Sequence, residues 1–300
     1  MLEEKDNYCP LPWISIYNQL GNNSPCHVVR DIPKMSPMRY LKSDKLKKIK
    51  QNFESNTFPS ECSTCEYRES LGIKSTRKEA LNTLNSQYDL NKFGANDDIK
   101  IHRLELRFSN LCNFKCRMCE PYSSSEIARE LKEHENFSFD DTDDVIVKTS
   151  DRQIRELKEL AHDIKVLCLT GGEPFLIKEY YDFLDYLVEQ DLAKNITLEL
   201  FTNCSTYNEK FVSRMLQFKE VRLVVSIDGV EKTAEYIRHG TKWNVVKENV
   251  FRFAKLPFQL YFNTAISQYT LLDVSRLAEF LMEIYSINNN IKTKCYAVVF

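Results

Sequence analysis

The chain has almost no net charge: 41 lysines and arginines against 43 aspartates and glutamates give a formal value of −2. No bulk electrostatic pull therefore draws it toward nucleic acid or an anionic lipid surface. Long apolar runs are also missing, and none approaches the roughly 20 residues that cross a bilayer as a helix. The opening residues, Met1-Leu-Glu-Glu-Lys-Asp6, are acidic and lack the apolar core of a secretion signal. These absences give the ten cysteines a meaning. In a chain read as cytoplasmic, thiols stay reduced, and grouped cysteines bind metals more often than they pair. His102, His134, His162 and His239 show no ligand spacing.

Hydrophobic residues at 43% and charged residues at 28% are in the proportions of an ordinary globular enzyme. Residues 1–98 contain Pro10, Pro12, Pro25, Pro33, Pro37 and Pro59 among short polar stretches, so much of this region is irregular. Two helices are expected there. One starts near Ser43 with Leu46, Ile49 and Phe53 on one face, and the other covers about 70–84. The basic run from Lys42 to Lys50 reads as a solvated helix face. Residues 85–98, broken by Gly94, read as a linker.

From Ile101 onward strands and helices alternate. Strands are expected over 101–108, 164–169, 196–201, 221–227, 259–265 and 292–299. Helices are expected over 123–134, 150–162, 178–189, 209–218, 243–255 and 271–284, and Ser150 with Gln153 has the form of a capping box. Such alternation implies parallel βαβ units. The expected fold class is α/β, with either an open doubly wound sheet or a partial (β/α)6 TIM-like barrel over 99–300. A small irregular metal-binding module occupies 1–98. The segment 137–149, with Asp140, Asp141, Asp143 and Asp144, reads as a solvated insertion, because its acids do not have EF-hand spacing. The sequence ends at Val298-Val299-Phe300, inside an expected buried strand, which points to a truncation or a covering partner.

The first strand runs into Leu111-Cys-Asn-Phe-Lys-Cys-Arg-Met-Cys-Glu120, which sets Cys112, Cys116 and Cys119 in C-x3-C-x2-C spacing. A closed structural zinc site takes four ligands, and so does an iron–sulfur cube held wholly by protein. Three thiolates with no local fourth leave one iron open to another ligand. The later strands also end in unusual loops: Thr170-Gly171-Gly172-Glu173-Pro174, Thr202-Asn203-Cys204, Ser226-Ile227-Asp228-Gly229 and Asn263-Thr264. In a parallel α/β fold these loops gather on the rim at the carboxyl ends of the strands. The glycine pair lets the backbone approach a ligand closely. Glu173 is placed to accept from a cationic group such as an ammonium, and Pro174 fixes the turn into the next helix.

Together the cysteine loop and Gly-Gly-Glu-Pro resemble the radical S-adenosylmethionine (SAM) superfamily, over roughly residues 101–300. The resemblance implies that Cys112, Cys116 and Cys119 hold a 4Fe–4S cluster whose open iron is chelated by the amino and carboxylate groups of SAM. It further implies reductive cleavage of SAM to a 5′-deoxyadenosyl radical that abstracts a substrate hydrogen. The electron would come from a donor such as a flavodoxin or ferredoxin. By the same resemblance, Gly171, Gly172 and Glu173 meet the methionine amino group, with Pro174 shaping their loop. Ser226 and Asp228 stand where the family contacts the carboxylate or ribose, and Arg238, in Tyr-Ile-Arg-His-Gly, could pair with the carboxylate. Met118 replaces the family's usual bulky apolar or aromatic residue and can pack against adenine. Asn203 belongs to Thr202-Asn203-Cys204, where relatives read Thr-Asn-Gly, and Asn263 completes the expected cofactor-binding set.

A second set of thiols lies in the proline-rich region: Cys9 in Tyr-Cys-Pro-Leu-Pro-Trp, Cys26 in Ser-Pro-Cys-His, and the pair Cys62-Ser-Thr-Cys65. Four thiolates close a structural zinc site, and small irregular modules need such a staple. The quartet also resembles the SPASM/twitch modules of certain radical SAM enzymes. That resemblance implies an auxiliary 4Fe–4S cluster instead, with a role in electron transfer or substrate ligation, and a peptide or a small molecule as substrate. His27 is an alternative ligand. A non-catalytic iron–sulfur or zinc protein, serving electron transfer or binding, is the competing reading, and it leaves the glycine pair and Glu173 without a task. Cys168 and Cys295 read as small core residues and Cys204 as a loop cysteine. Tyr180, Tyr181, Phe183 and Tyr186 read as a helix face with a core edge.

Overall fold

A computed structural model describes residues 7–29, 34–87, 98–135, 137–139 and 143–297. The chain divides into two compact units: Met1–Glu105 with Ser150–Lys165, and Leu106–Thr149 with Val166–Phe300.

In the first unit a short helix, Leu11–Ile14, leads into an antiparallel hairpin of β1 (Ser15–Gln19) and β2 (Asn22–Ser24). Its turn residues Leu20 and Gly21 both have positive φ, as a two-residue hairpin with right-handed strand twist requires. The helix Asp44–Glu54 starts at Ser43, whose hydroxyl accepts from the Leu46 amide at 3.2 Å. It buries Leu46, Ile49 and Phe53, the face expected from their spacing. The basic run is not wholly solvated, however. Lys50 is buried with its ammonium 5.3 Å from the centre of the Trp13 ring, a cation–π contact that compensates part of its lost hydration. The core of this unit is Tyr8, Leu11, Trp13, Ile14, Ile49 and Phe53, with Cys9 and Cys62 among them.

The helix expected over 70–84 is instead two helices, Ser63–Ser70 and Thr76–Gln87, separated at Gly72 with φ +70°. Gly72 takes the left-handed conformation that ends a helix. Across the break, Arg77 donates to Glu69 at 2.9 Å and to the Tyr8 carbonyl at 2.9 Å. Most of the expected linker, 88–97, lies outside the described residues. The helix Asp151–Glu159 shows half of its capping box. Gln153 N donates to Ser150 Oγ at 3.4 Å, while the Gln153 side-chain oxygen accepts from Asn18 at 3.5 Å.

β3 (Arg103–Arg107) carries the chain into the second unit. There follow β4 (Lys115–Cys116), β5 (Val166–Leu169), β6 (Thr197–Thr202), β7 (Glu220–Ser226), β8 (Arg238–His239), β9 (Gln259–Ile266) and β10 (Ile291–Ala297). The sheet order is β10-β9-β7-β6-β5-β3, and β5 to β6, β6 to β7, β7 to β9 and β9 to β10 pair parallel. Each expected strand from 101 onward has a counterpart in this sheet. The crossovers include the helices Lys178–Glu189, Glu209–Met215, Trp243–Ala254 and Val274–Tyr285. The sheet is mixed once the antiparallel strands are counted. Its order is open among the described residues, where no pairing of β10 to β3 closes it into a barrel.

β7 and β9 alternate in burial, with Leu223, Val225, Leu260 and Phe262 fully buried and Arg222, Val224, Ser226, Tyr261 and Asn263 half-buried. A parallel strand covered on both faces reads as continuously apolar. Alternation here means that one face is packed and the other holds polar groups, among them Arg222 paired with Glu199 at 3.1 Å. The strand ends are pinned by Tyr180. Its hydroxyl lies 2.7 Å from the Leu106 carbonyl and 2.6 Å from that of Thr170, and accepts from Phe108 N at 3.1 Å.

The acid-rich segment is less free than its composition suggests. Asn110 accepts from Val147 N at 2.9 Å and donates to the Val145 carbonyl at 3.0 Å, and Lys148 bridges to Ser109. Phe139 is buried against Tyr122, with ring centres 5.1 Å apart. Asp140 and Asp141 lie outside the described residues. No helix among the described residues is long and apolar enough to cross a membrane.

Candidate active site

The cysteine loop leaves the end of β3 and is held from several sides. Ser125, the first residue of the helix Ser125–Glu135, accepts from Cys112 N and donates to Cys112 O, both at 3.2 Å. Ser124 Oγ donates to the Phe114 carbonyl at 2.6 Å. The short ladder of β4 with β8 sets Cys116 opposite Arg238, and the Arg117 amide donates to the Ile237 carbonyl at 2.9 Å. Gly240, at φ +103°, closes this clasp where a Cβ would come within 2.8 Å of the Asn113 carbonyl. Cys112 and Cys116 are buried and Cys119 is half-buried. Burial, with repulsion from Glu173 and the other thiols, pushes Cys112 up to about 12. Burial and Cys116 push Cys119 up to about 11. Burial also raises Cys116, against the pull of the Arg238 charge. A group of thiols that resists ionisation in this way needs a cationic centre to hold it as thiolates.

The Gly-Gly-Glu-Pro loop follows β5 and lies directly on the cysteine loop. Gly172 N donates to the Ser109 carbonyl at 3.2 Å, and Glu173 N to the Leu111 carbonyl at 2.8 Å. A Cβ on Gly172 would sit 2.0 Å from the Leu111 carbonyl oxygen, and one on Gly171, at φ +119°, 2.7 Å from that of Ser109. The close approach that the glycine pair permits is thus to the backbone that carries Cys112. Glu173 is fully buried, accepting from Asn203 N at 2.7 Å, Thr202 Oγ1 at 2.9 Å and Phe175 N at 3.2 Å. Burial outweighs these donors and lifts its carboxyl to about 7. Pro174 begins a tight turn, Pro174–Leu176.

Asn203, at the end of β6, donates to Asn113 Oδ1 at 3.1 Å and lies 3.9 Å from Cys112 Sγ. Cys204 is fully buried at φ +57°, the left-handed conformation for which glycine is the usual residue. Asn249 donates to its carbonyl at 2.9 Å and closes the loop. Past β7, Asp228 accepts from Ala265 N at 2.7 Å with one oxygen and pairs with Arg238 Nε at 2.7 Å through the other. Arg238 Nη1 lies 3.8 Å from Cys116 Sγ. Ser226 and Asn263 stand opposite each other in the β7–β9 register, and Met118 is half-buried within the cysteine loop.

The expected residues after β3, β5 and β6, with Asp228 and Arg238, are therefore joined by direct contacts. Ser226 and Asn263 share the strand-end rim without such a contact being part of the clasp. Tyr180, Ser125 and Asn110 carry much of the scaffolding and have no motif to announce them. Only the fold brings them to the strand ends.

In the first unit Cys9, Cys62 and Cys65 are buried and Cys26 is half-buried against the same core. Burial and then Cys26 push Cys9 well above the usual thiol range, with Cys62 and Cys65 adding to it. Burial, with repulsion from Cys65 and Glu105, pushes Cys26 up to about 12. Tyr40 is completely buried within Coulombic reach of Cys26 and Cys62, and its hydroxyl has no hydrogen-bond partner among the described residues. His27 lies 3.5 Å from the Glu105 carboxylate. Among the described residues, no three His, Cys, Asp or Glu side chains converge closely enough to be grouped around a single metal ion. Cys168 is buried in β5, and the Cys295 side chain lies outside the described set.

A crystal structure of SuiB from Streptococcus suis bound to S-adenosylmethionine is similar at TM-score 0.47 and 15% identity, over 87% of this chain and 54% of that one. Native anSMEcpe with bound AdoMet is similar at TM-score 0.49 and 17% identity, over 65% of this chain and 52% of that one. The chain thus spans about half the length of either structure. No curated protein sequence matches it. Residues 106–281, more than half of the chain, match the model of the Radical SAM superfamily, and the chain belongs to that superfamily.

Proposed function

We propose that the protein is a radical SAM enzyme whose Cys112, Cys116 and Cys119 hold a 4Fe–4S cluster that binds SAM. The observation that carries this reading is the seating of Gly171-Gly172-Glu173 on the Cys112 backbone, beside three free thiols. The donor set fits the group: three thiols that are hard to ionise alone, with no fourth in the loop, suit a cube with one open iron.

When bound, the cluster supplies the electron for reductive cleavage of SAM and hence the radical that takes a substrate hydrogen. The protein's part is placement. Gly171, Gly172 and Glu173, shaped by Pro174, present backbone to the aminoacyl end. Ser226 and Asn263 offer hydrogen bonds at the strand ends, and Met118 an apolar surface for adenine, while the expected cofactor contact of Asp228 gives way to its pairing with Arg238 and Ala265 N. Asn203 orients Cys112, and Arg238 lies beside Cys116. In this reading residues 99–300 form a partial (β/α)6 barrel and residues 1–98 a SPASM/twitch-like module.

The quartet Cys9, Cys26, Cys62 and Cys65 is assigned an auxiliary 4Fe–4S cluster. Its free thiols, three of them buried, and the Tyr40 hydroxyl, which has no hydrogen-bond partner among the described residues, fit a bound group rich in hydrogen-bond acceptors. A peptide is the proposed substrate, on the resemblance of this quartet to modules of peptide-modifying relatives. A flavodoxin- or ferredoxin-like donor and a cytoplasmic location complete the proposal. Anaerobic reconstitution tests it: about eight irons per chain support two cubes and about four support one. Iron uptake without release of 5′-deoxyadenosine from SAM rejects the enzyme in favour of a binding or electron-transfer protein.

A further inference from the structure

We infer that Asp228 and Arg238 form an electrostatic brace on Cys116 that sets the reduction potential of the cluster held by that thiolate. The inference rests on the radical SAM reading and goes beyond it, because it assigns Arg238 to the cluster sulfur instead of the SAM carboxylate. The backbone supplies the first argument. β4 and β8 pair Cys116 directly with Arg238, the neighbouring Arg117 amide is bonded to Ile237, and Gly240 fits against Asn113 where no side chain can enter. The Tyr236-Ile-Arg-His-Gly240 segment is thus fastened to the cysteine loop at consecutive positions, and Arg238 cannot leave without opening it.

The side chains supply the second. The Arg238 side chain is only 15% exposed and the Asp228 side chain 0%. Arg238 Nε lies 2.7 Å from Asp228 Oδ2 as an ion pair whose alignment is not that of a hydrogen bond, and Nη1 is directed to Cys116 Sγ at 3.8 Å. Asp228 is itself fixed by Ala265 N at 2.7 Å. A planar guanidinium with one edge held by a carboxylate presents its remaining donors in a set direction. Groups that contact a metal ligand in this way orient it and tune the metal, and hydrogen bonds to cluster sulfurs together with local charge set iron–sulfur potentials.

The signs follow from Coulomb's law in a poorly solvated site. Reduction adds a negative charge to the cluster. The Arg238 cation favours the reduced state and raises the potential, while the Asp228 anion opposes it from behind. Removing each partner should therefore move the potential in opposite directions, which a role in folding alone would not do. Asp228→Asn keeps the shape and the acceptor for Ala265 N, Arg238→Lys keeps the charge, and Arg238→Gln removes it.

The test is a redox titration of the anaerobically reconstituted full chain, followed by the electron paramagnetic resonance signal that added SAM perturbs. Asp228→Asn is expected to shift the midpoint upward, Arg238→Gln downward, and Arg238→Lys to stay near the wild type. Shifts in the same direction, or no shift in variants that retain their iron, overturn the brace. If Arg238→Gln fails to hold iron, Asp228→Asn decides, since an unchanged or lowered midpoint there rejects the inference. A wild type with no SAM-perturbed signal overturns the functional reading itself and takes this inference with it.

Discussion

Glu173 is out of contact with water, yet three donors converge on its carboxylate from Thr202, Asn203 and Phe175. Its folded-state value, raised from 4.5 to about 7, makes it a pH-dependent element of stability. The native state binds this proton more tightly than the unfolded chain does. Its stabilising contribution is therefore complete below pH 4.5 and is lost as pH rises toward about 7. Chemical denaturation of the metal-free protein should show a loss on the order of 2–3 kcal/mol across that window. Glu173→Gln should flatten the pH dependence while lowering stability throughout, because the amide cannot accept from all three donors. An equally steep dependence in the variant would assign the effect elsewhere. Cys204 makes a second point at this scale. With φ at +57°, Cys204→Gly should change stability by no more than about 1 kcal/mol, relief of strain offsetting lost packing. Cys204→Val, β-branched in the same conformation, should lose more than about 2 kcal/mol in the same measurement.

At the scale of elements, the loops at the strand ends depend on one another more than on any single motif. Gly172→Ala places a methyl 2.0 Å from the Leu111 carbonyl oxygen, so one of the two backbones has to shift. The expected outcome is a loss of about 2–4 kcal/mol and failure of the cysteine loop to retain iron, read by denaturation and iron analysis. The long elements were legible in the sequence. The strands from 101 onward and the helices Lys178–Glu189 and Trp243–Ala254 carry enough periods for their pattern to stand out. The helix Glu231–Ile237 spans about two turns, and β4 and β8 have two residues each, so no period exists to detect. Arg238 was marked by its motif, but its partner was not. The pairing with Cys116 closes a long loop that only tertiary structure can specify. The glycine pair was recognised as permitting close approach, while the object approached, Leu111, was invisible for the same reason.

At the scale of the whole molecule, the chain carries two thiol groups, each within its own compact unit. The four N-terminal cysteines could be read from the sequence as candidate ligands. Tyr40 could not, because a buried tyrosine without a hydrogen-bond partner among the described residues leaves no trace in sequence. Tyr40→Phe separates packing from ligand support. In the metal-free protein it should preserve or raise stability by about 1 kcal/mol, since an unsatisfied buried hydroxyl is removed. In the reconstituted protein the spectrum or potential of the proposed N-terminal cluster should shift, and an unchanged spectrum would remove Tyr40 from that site. The central claim is tested most directly by incubating the anaerobically reconstituted, reduced protein with SAM and measuring 5′-deoxyadenosine. The account predicts that the wild type releases it and Cys116→Ala does not. Release by Cys116→Ala at the wild-type rate, or none from an iron-loaded wild type, would contradict it.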